Sequence, residues 1–506
     1  MLFEMLFEAR PKLFDYYSVM SNDSNASGKM MIRLTASLKV LATAFFTLLF
    51  IVEGSNAAPQ SVDTIVYGDY VVTMSDDKPY INDGAVAITG TVITAVGTRK
   101  EIDQRYSAKQ AISGEGRIVM PGLINGHTHT SMTLFRGMAD DLKLMNWLNN
   151  YIFPMEARFV NSGFIKAGSE LACWEMIRGG TTTFVDMYFY PDTIADVVER
   201  CGLRAIIASP SIDFPSPGFK GWDDSFQAAV DFVVRWKGKH ERITPAFAPH
   251  APYTVSPEHL SQVAKKANEL QVPVSIHIAE APSELTIIKQ RYQTTPVKHV
   301  AEQGLMNNRL IAAHMVHPSP EEIQMMAAKP VGAIHNPTSN LKLAAGIAPV
   351  PTMLAAGVSV GLGTDGAASN NDLDLWEEMR LSALIHKQQS GDPTVVPAMV
   401  ALEMATSMGA EAIGLGDVTG RLKAGMRADI IQVSLDSPRL APLYNVISHL
   451  VYMVDSNDVV TSMVSGVLLM NDGKVLSLNG AQVKAAAEAI SLDIAKALNE
   501  SPSAAR

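Results

Sequence analysis

The chain has 506 residues, 47% hydrophobic and 18% charged, with a net charge of −10. This excludes a disordered chain and leaves room for a large core and more than one domain. The globular part contains no basic run, so nucleic acid is not expected as a partner. The only two cysteines, Cys173 and Cys201, lie in apolar surroundings and read as buried thiols. Neither a disulfide framework nor a Cys-type zinc site is supported, so any metal falls to histidine and carboxylate.

Residues 1–58 read as an N-terminal extension. Arg33 and Lys39 precede an apolar run from Val40 to Val52, followed by a small-residue stretch ending in Ala57-Ala58. This is the layout of a secretory signal, and the run is short of the ~20 residues a membrane-spanning helix needs. The expectation is a periplasmic or secreted protein with no stable membrane span in the mature chain. Residues 1–29 carry no pattern, which makes Met30 and Met31 candidate starts; the alternative to export is a cytoplasmic protein with a misassigned start.

Residues 59–120 are β-rich, with β-branched residues punctuated by Gly and Asp. The same texture returns over 415–478, where Asn471-Asp472-Gly473 signals a hairpin. The two pieces are expected to close into one small β-sandwich built from both chain ends, followed by a helical tail over 479–506. Between them, residues 121–414 alternate short apolar runs with longer helical stretches. Eight candidate strands end near Asn125, Asp186, Ser209, His250, His277, His314, His335 and Asp365. The fold class is therefore α/β, a (β/α)8 TIM-type barrel whose C-terminal strand ends converge on one mouth.

Most of those strand ends carry a residue able to bind metal or move a proton. His127 and His129 follow an apolar run two residues apart, and on a strand such positions share a face, so both imidazoles can reach one point. His277 ends the run Val274-Ser275-Ile276, with Glu280 just past the strand as a proton carrier. His314 could bind a second metal or hold a metal-bound water. Asp365 follows a buried strand, where a carboxylate is costly unless paired or ligating. His250 can touch substrate, and His335 either completes the ring or serves the core. Together His127, His129, His277 and Asp365 give three nitrogens and one oxygen. Zinc favours that set, and it lowers the pKa of bound water to about 7. With Glu280 to pass a proton, the reaction class is metal-assisted hydrolysis of a C–N bond.

Five stretches carry a resemblance: Pro121 to His129, Leu134 to Met138, His277 to Glu280, His335 to Leu343, and Gly363 to Gly366. In that order they resemble the amidohydrolase superfamily, and more closely its 5-methylthioadenosine/S-adenosylhomocysteine deaminases of the TRZ/ATZ chlorohydrolase-like group. The resemblance runs from about residue 62 to 475. It implies one divalent metal per subunit, usually zinc, with Fe²⁺ or Mn²⁺ as alternatives, on His127, His129, His277 and Asp365. It implies that Glu280 shuttles a proton to the purine ring, that Asp365 takes the proton of the attacking water, and that His314 orients that water. It assigns Trp147, Glu156 and His250 to substrate, Glu156 to the ribose hydroxyls and Trp147 packing on the nucleoside. Without it, Trp147 and Glu156 read as an amphipathic helix with one aromatic in the core.

The function expected is deamination of an adenosine-like nucleoside (5-methylthioadenosine, S-adenosylhomocysteine or adenosine) with release of ammonia, by a homo-oligomer. The alternative is an amino- or chlorohydrolase for a triazine, guanine or another N-heterocycle. A metal- or ligand-binding protein without catalysis is the third reading, and Glu280 and Asp365 argue against it because binding alone needs no proton shuttle. Two features depart from the family pattern. The stretch from Ser209 to Gly221 holds Lys220 as its only base, which leaves no arginine for the carboxylate of S-adenosylhomocysteine. The signal-like segment is unusual for cytoplasmic relatives.

Overall fold

The structure, a computed structural model, describes residues 58–75 and 79–500. The expected signal sequence lies outside these residues. Among them, no helix is long and apolar enough to cross a membrane.

Five strands come first: β1 (Gln60–Val71), β2 (Ile81–Thr89), β3 (Val92–Thr98), β4 (Tyr106–Ile112) and β5 (Arg117–Pro121). The barrel strands follow: β6 (Leu123–Thr128), β7 (Thr181–Met187), β8 (Arg204–Ser211), β9 (Ile243–Pro249), β10 (Val274–Ile278), β11 (Leu310–His314), β12 (Gly332–His335) and β13 (Val360–Leu362). Last come β14 (Ile430–Ser434), β15 (Val459–Val464), β16 (Val467–Asn471) and β17 (Lys474–Val475). Six helices matter below: α1 (Phe153–Phe159), α2 (Ser162–Gly179), α3 (Pro191–Cys201), α4 (Pro282–Tyr292), α5 (Pro337–Lys342) and α6 (Gly480–Glu500).

The strands β6 to β13 pair in parallel, in sequence order, as one eight-stranded sheet. They are continuous apolar runs because both faces are buried. One face, with Ile124, Val185, Ile206, Ala246, Ile311 and Ile334, forms a cluster closed by Ala410 and Ala412. The other face packs under the helices. The barrel closes between β13 and β6. Asp365 N donates to His127 O at 2.9 Å, and the Asn125 side chain clamps Thr364 by accepting from its N at 3.1 Å and donating to its Oγ1 at 2.8 Å. A Cβ on Gly363 would stand 2.4 Å from Asn336 Oδ1 and 2.9 Å from His127 N, so this seam admits no side chain there.

Both chain ends build the second sheet, nine-stranded and mixed, in the order β17-β16-β15-β14-β5-β1-β2-β3 with β4 on β1. The join is β14 against β5, antiparallel from Ile430↔Pro121 to Ser434↔Arg117. The sheet folds over a shared core in which Val66, Val86, Ile93 and Val119 meet Ile430 and Met463. Ile93 N also bonds Met426 O at 2.8 Å, tying β3 to the segment before β14. Asp472 (φ 47°) and Gly473 (φ 75°) make the two-residue turn between β16 and β17, the left-handed pair that such a hairpin requires. A buried bidentate ion pair links sheet and barrel. Arg204, opening β8, donates from Nε to Asp429 Oδ2 at 2.8 Å and from Nη2 to Oδ1 at 3.1 Å. The C-terminal helix α6 buries Ala487, Ile494 and Ala497 in the same core as α2.

Candidate active site

Backbone strain gathers at or just past the ends of three barrel strands. Ala279 (φ 53°), His314 (φ 73°), Met315 (φ 45°) and Asp365 (φ 63°) all take left-handed backbone conformations. Such strain persists only where the surroundings over-determine it, and it collects at functional sites.

His127, His129 and His277 bring ligand-capable nitrogens within 4.8 Å of one another, and nitrogens of His127 and His314 with a carboxylate oxygen of Asp365 lie equally close. Asp365 Oδ1 lies 3.1 Å from His129 Nε2 and 3.4 Å from His127 Nε2. His277 Nε2 lies 3.3 Å from His129 Nε2. Three of the four rings are fixed from behind by a partner that accepts from Nδ1: Met187 O for His129 at 2.6 Å, His250 O for His277 at 2.7 Å and Asn340 Oδ1 for His314 at 2.9 Å. For His129 and His277 the carbonyl sets the tautomer, leaving an Nε2 lone pair turned to the centre, whereas the Asn336 amide nitrogen also stands 3.3 Å from His314 Nδ1. His127 is fully buried, and neither of its ring nitrogens has a hydrogen-bond partner.

The site calls for positive charge. Burial works against ionising Asp365, yet the close approach of the His127 and His129 imidazoles and the charge of neighbouring histidines hold its carboxyl well below the usual range. Ser339 Oγ (2.7 Å) and Ser369 Oγ (3.1 Å) donate to its Oδ2, and Gly366 N (2.8 Å) to its Oδ1. Burial holds His127 down to about 4, whereas the Asp365 carboxylate outweighs burial at His129 and lifts it to about 9. An orphaned buried imidazole beside an ionised carboxylate fits a divalent cation on His127, His129, His277 and Asp365.

Glu280 stands beside this group. Its Oε1 is 3.9 Å from His314 Nε2, which is itself 4.0 Å from Asp365 Oδ2. Burial raises the Glu280 carboxyl above its ordinary value, the direction that favours a group which must take up a proton. Its backbone is fixed from α4, where the Glu284 carboxylate accepts from Ala279 N at 3.0 Å and from Glu280 N at 2.8 Å.

One cavity joins His129, His277, Glu280, His314 and Asp365 to Trp147, Glu156 and His250. Nine residues separate Trp147 from Glu156, which on an unbroken α-helix is about 900° of turn and would set them on opposite faces. The chain instead makes a π-helical turn over Leu148–Ile152 before α1. Its slower winding changes the phase, and both side chains line the cavity. The Trp147 indole N–H is buried there without a partner. Burial raises the Glu156 carboxyl to about 7, against a 2.8 Å bond from the Tyr188 hydroxyl. His250 lines the wall with Nδ1 against Thr254 Oγ1 at 2.9 Å, and burial lowers it to about 3. His335 does not line this cavity. Its ring lies 5.1 Å from that of His386 in the core.

Sequence reasoning passed over several members of the site. Ser339 and Asn340 sit in a stretch read only as a motif, although Pro337 at the start of α5 fixes where their side chains emerge. Tyr188 and Phe153 gave no signal beyond apolarity. Glu284, four residues after Glu280 and two after Pro282, was legible in principle as a first-turn carboxylate of α4.

A (β/α)8 barrel with His-x-His on its first strand, a histidine and a glutamate at the fifth and an aspartate after the eighth defines a class of metal-dependent hydrolases. The model described as the amidohydrolase family matches residues 118–469, and the chain belongs to this family. It is 47% identical over 401 residues to a 5-methylthioadenosine/S-adenosylhomocysteine deaminase of Carboxydothermus hydrogenoformans, covering 79% of this chain and 91% of that one. It is 44% identical over 422 residues to a 5'-deoxyadenosine deaminase of Methanosarcina barkeri, covering 83% and 96%. Among solved structures it matches an adenosine deaminase from Xanthomonas campestris with bound zinc, with a TM-score of 0.85 and 36% identity over 87% of this chain and all of that one. The chain is a hydrolytic enzyme of the deaminase type, acting on a C–N bond other than a peptide bond.

Proposed function

We propose that this enzyme uses zinc to replace the 6-amino group of an adenosine-like nucleoside with oxygen, releasing ammonia. The observation that carries the reading is two buried carboxyl groups in one cavity, Glu280 beside the clustered histidines and Glu156 on Tyr188. The first suits a proton in transit, and the second suits hydroxyl donors on a ribose. His127, His129, His277 and Asp365 would hold the ion. Zinc, when bound, supplies a Lewis acid that brings the pKa of a water to about 7.

The protein's own groups account for the remaining proton traffic. Asp365, held ionised, accepts a proton from the attacking water. His314, within reach of both Glu280 and Asp365, orients that water. Glu280 delivers a proton to the purine ring nitrogen as the carbon becomes tetrahedral; Asp365 then passes the water's proton to the amino group, the C–N bond breaks to release ammonia, and the new hydroxyl returns a proton to Glu280. Trp147 packs on the nucleoside and offers its unpartnered N–H, while His250 supplies a further contact.

The far side of the cavity indicates what the 5' end of the nucleoside carries. A second cavity shares Phe153, Glu156, Phe189 and Ile212 with the first and continues to Phe214 and Pro215. Phe153 meets Phe214 edge-on at 5.7 Å, and Glu156 is the only ionisable residue among the described lining. An apolar group such as methylthio, or a plain deoxy carbon, suits this wall better than the charged amino acid of S-adenosylhomocysteine.

Ammonia release and an inosine-type ultraviolet shift from 5-methylthioadenosine, with the zinc-loaded protein, test the proposal. No turnover of any adenine nucleoside would sink it. The same aromatic wall would also receive a triazine, which is the second reading, and an ammonia screen of triazines beside nucleosides separates the two. We further propose export, read from the N-terminal segment. Cell fractionation with N-terminal sequencing tests it, and an intact N-terminus in the cytoplasm would refute it.

A further inference from the structure

The chain spends its only two cysteines at one point. Cys173 lies on the buried side of α2 and Cys201 is the last residue of α3. They are 1% and 0% exposed, and their sulfurs are 2.9 Å apart. That is well inside the ~3.5–4.0 Å of ordinary non-bonded heavy-atom contact, and about 0.9 Å from a covalent bond.

The elements that carry the sulfurs are fixed independently of them. Asn161 caps α2 by accepting from Gly163 N and Phe164 N. The α3 end is set by Gly202 (φ 96°), where a Cβ would come 2.3 Å from Leu469 Cδ2. Arg242 braces the same end by donating to Leu203 O at 2.7 Å and Glu199 O at 3.0 Å. One turn before Cys173, Glu170 accepts from Arg200, the neighbour of Cys201, at 3.1 Å. Two helices docked this firmly present the sulfurs to each other.

From this geometry we infer that Cys173 and Cys201 form a disulfide that ties α2 to α3. The bond forms by exchange with a disulfide oxidant, either a small molecule such as oxidised glutathione or a protein disulfide. One cysteine thiolate attacks the oxidant, giving a mixed disulfide and expelling one thiol. The second cysteine sulfur then displaces the other half. Two protons leave the cysteines, two electrons pass to the oxidant, and the oxidant departs as two thiols. Burial holds the Cys173 thiol well above its usual range, so Cys173 makes a poor nucleophile in the folded protein. The bond therefore closes as the helices dock and is afterwards shielded from reductants.

The tether bears on the active site through α2. Ser169 Oγ pairs with Ser131 Oγ at 2.9 Å, and Gly168 O accepts from Thr133 Oγ1 at 2.9 Å. This braces the turn that leads away from His129. Loss of the bond should loosen that wall before it touches the chemistry.

The full-length chain is purified without reductant, and a second portion is refolded from guanidinium in a glutathione redox buffer. Both are then unfolded in excess N-ethylmaleimide and weighed. The refolded chain is expected to carry no label and to be lighter than the reduced chain by two hydrogen atoms, and dithiothreitol should make both cysteines reactive. Reduction should lower the melting temperature by about 2–6 °C, and the Cys173→Ala/Cys201→Ala variant should melt with the reduced form and keep its turnover. Two labelled cysteines per chain in the refolded, active protein would overturn the inference. So would a melting temperature that does not move when the thiols become reactive.

Discussion

The two ends of the barrel hold their charges in opposite ways. At the N-terminal end of the strands, Arg204 and Asp429 close on each other in a buried fork, and Ser465 N adds a 2.8 Å bond to the carboxylate. Nothing is left over. At the C-terminal end, Asp365 faces a cluster of imidazoles, and His127 keeps both nitrogens unpartnered. The first arrangement is complete without any ligand, and the second is not. A buried charge that is satisfied serves the fold, and a buried charge that is left open marks the place where something else binds.

The contrast breaks if damage at the mouth harms the fold more than the activity. His127→Ala is expected to lose the bound metal and reduce turnover to background, with a melting temperature near that of the metal-free parent. Metal analysis beside calorimetry checks it. Glu280→Gln should keep the metal and cost about 10²–10⁴-fold in kcat, and unchanged turnover would remove Glu280 from the proton path. At the other end, Arg204→Met leaves Asp429 buried beside an apolar group. It should cost about 3–5 kcal/mol of stability with kcat per folded molecule unchanged, as measured by denaturant titration and active-site counting. Glu156→Ala sharpens the picture within the mouth. It should lower kcat/KM for nucleosides by about 10-fold, the order of one hydrogen bond to a buried group, and spare a substrate without ribose.

A last effect concerns a buried carboxyl held by hydrogen bonds rather than by a cation. Burial pushes Glu378 from 4.5 up to about 8, although Thr338 N and Asn370 Nδ2 donate to it at 3.1 and 2.7 Å. The folded state therefore keeps a proton that the unfolded chain loses near its ordinary value. Stability should fall as pH rises from about 5 to 8, and Glu378→Gln should flatten that slope in pH-dependent melts.

The legible part of this molecule was the part written as period and position. Short apolar runs placed all eight barrel strands, six of them ending near a His or Asp, because a strand buried on both faces is written as a continuous apolar run. The two-residue repeat put His127 and His129 on one face, and His277, Asp365 and Glu280 at other strand ends made that pair readable as part of a site. Trp147 and Glu156 were not readable in this way, since an α-helical phase separates them and only the π-helical turn brings both to the cavity. The Arg204–Asp429 fork lay beyond reach for a different reason: its partners are far apart in sequence and each reads as a surface charge. Ser339 and Ser369, whose hydroxyls hold Asp365, belong to a residue type too common to signal anything by itself. Cys173 and Cys201 were legible as buried, but their meeting was not.

The join between β5 and β14 has a consequence for how the chain is made. From Pro121 to Ile430 roughly 300 residues must be synthesised, which takes about 15–60 s at the ribosome. Until then β5 stands as an open edge, a template for any strand that drifts past. The barrel can assemble in the interval, but the sheet beneath it cannot. Closure of the β5 edge thus waits for the emergence of β14, with β15 to β17 adding to the sheet after it, and the period of greatest exposure of that edge is this wait. Slowing translation between the barrel and β14 should raise losses to misassembly, while a partner that covers the β5 edge should lower them.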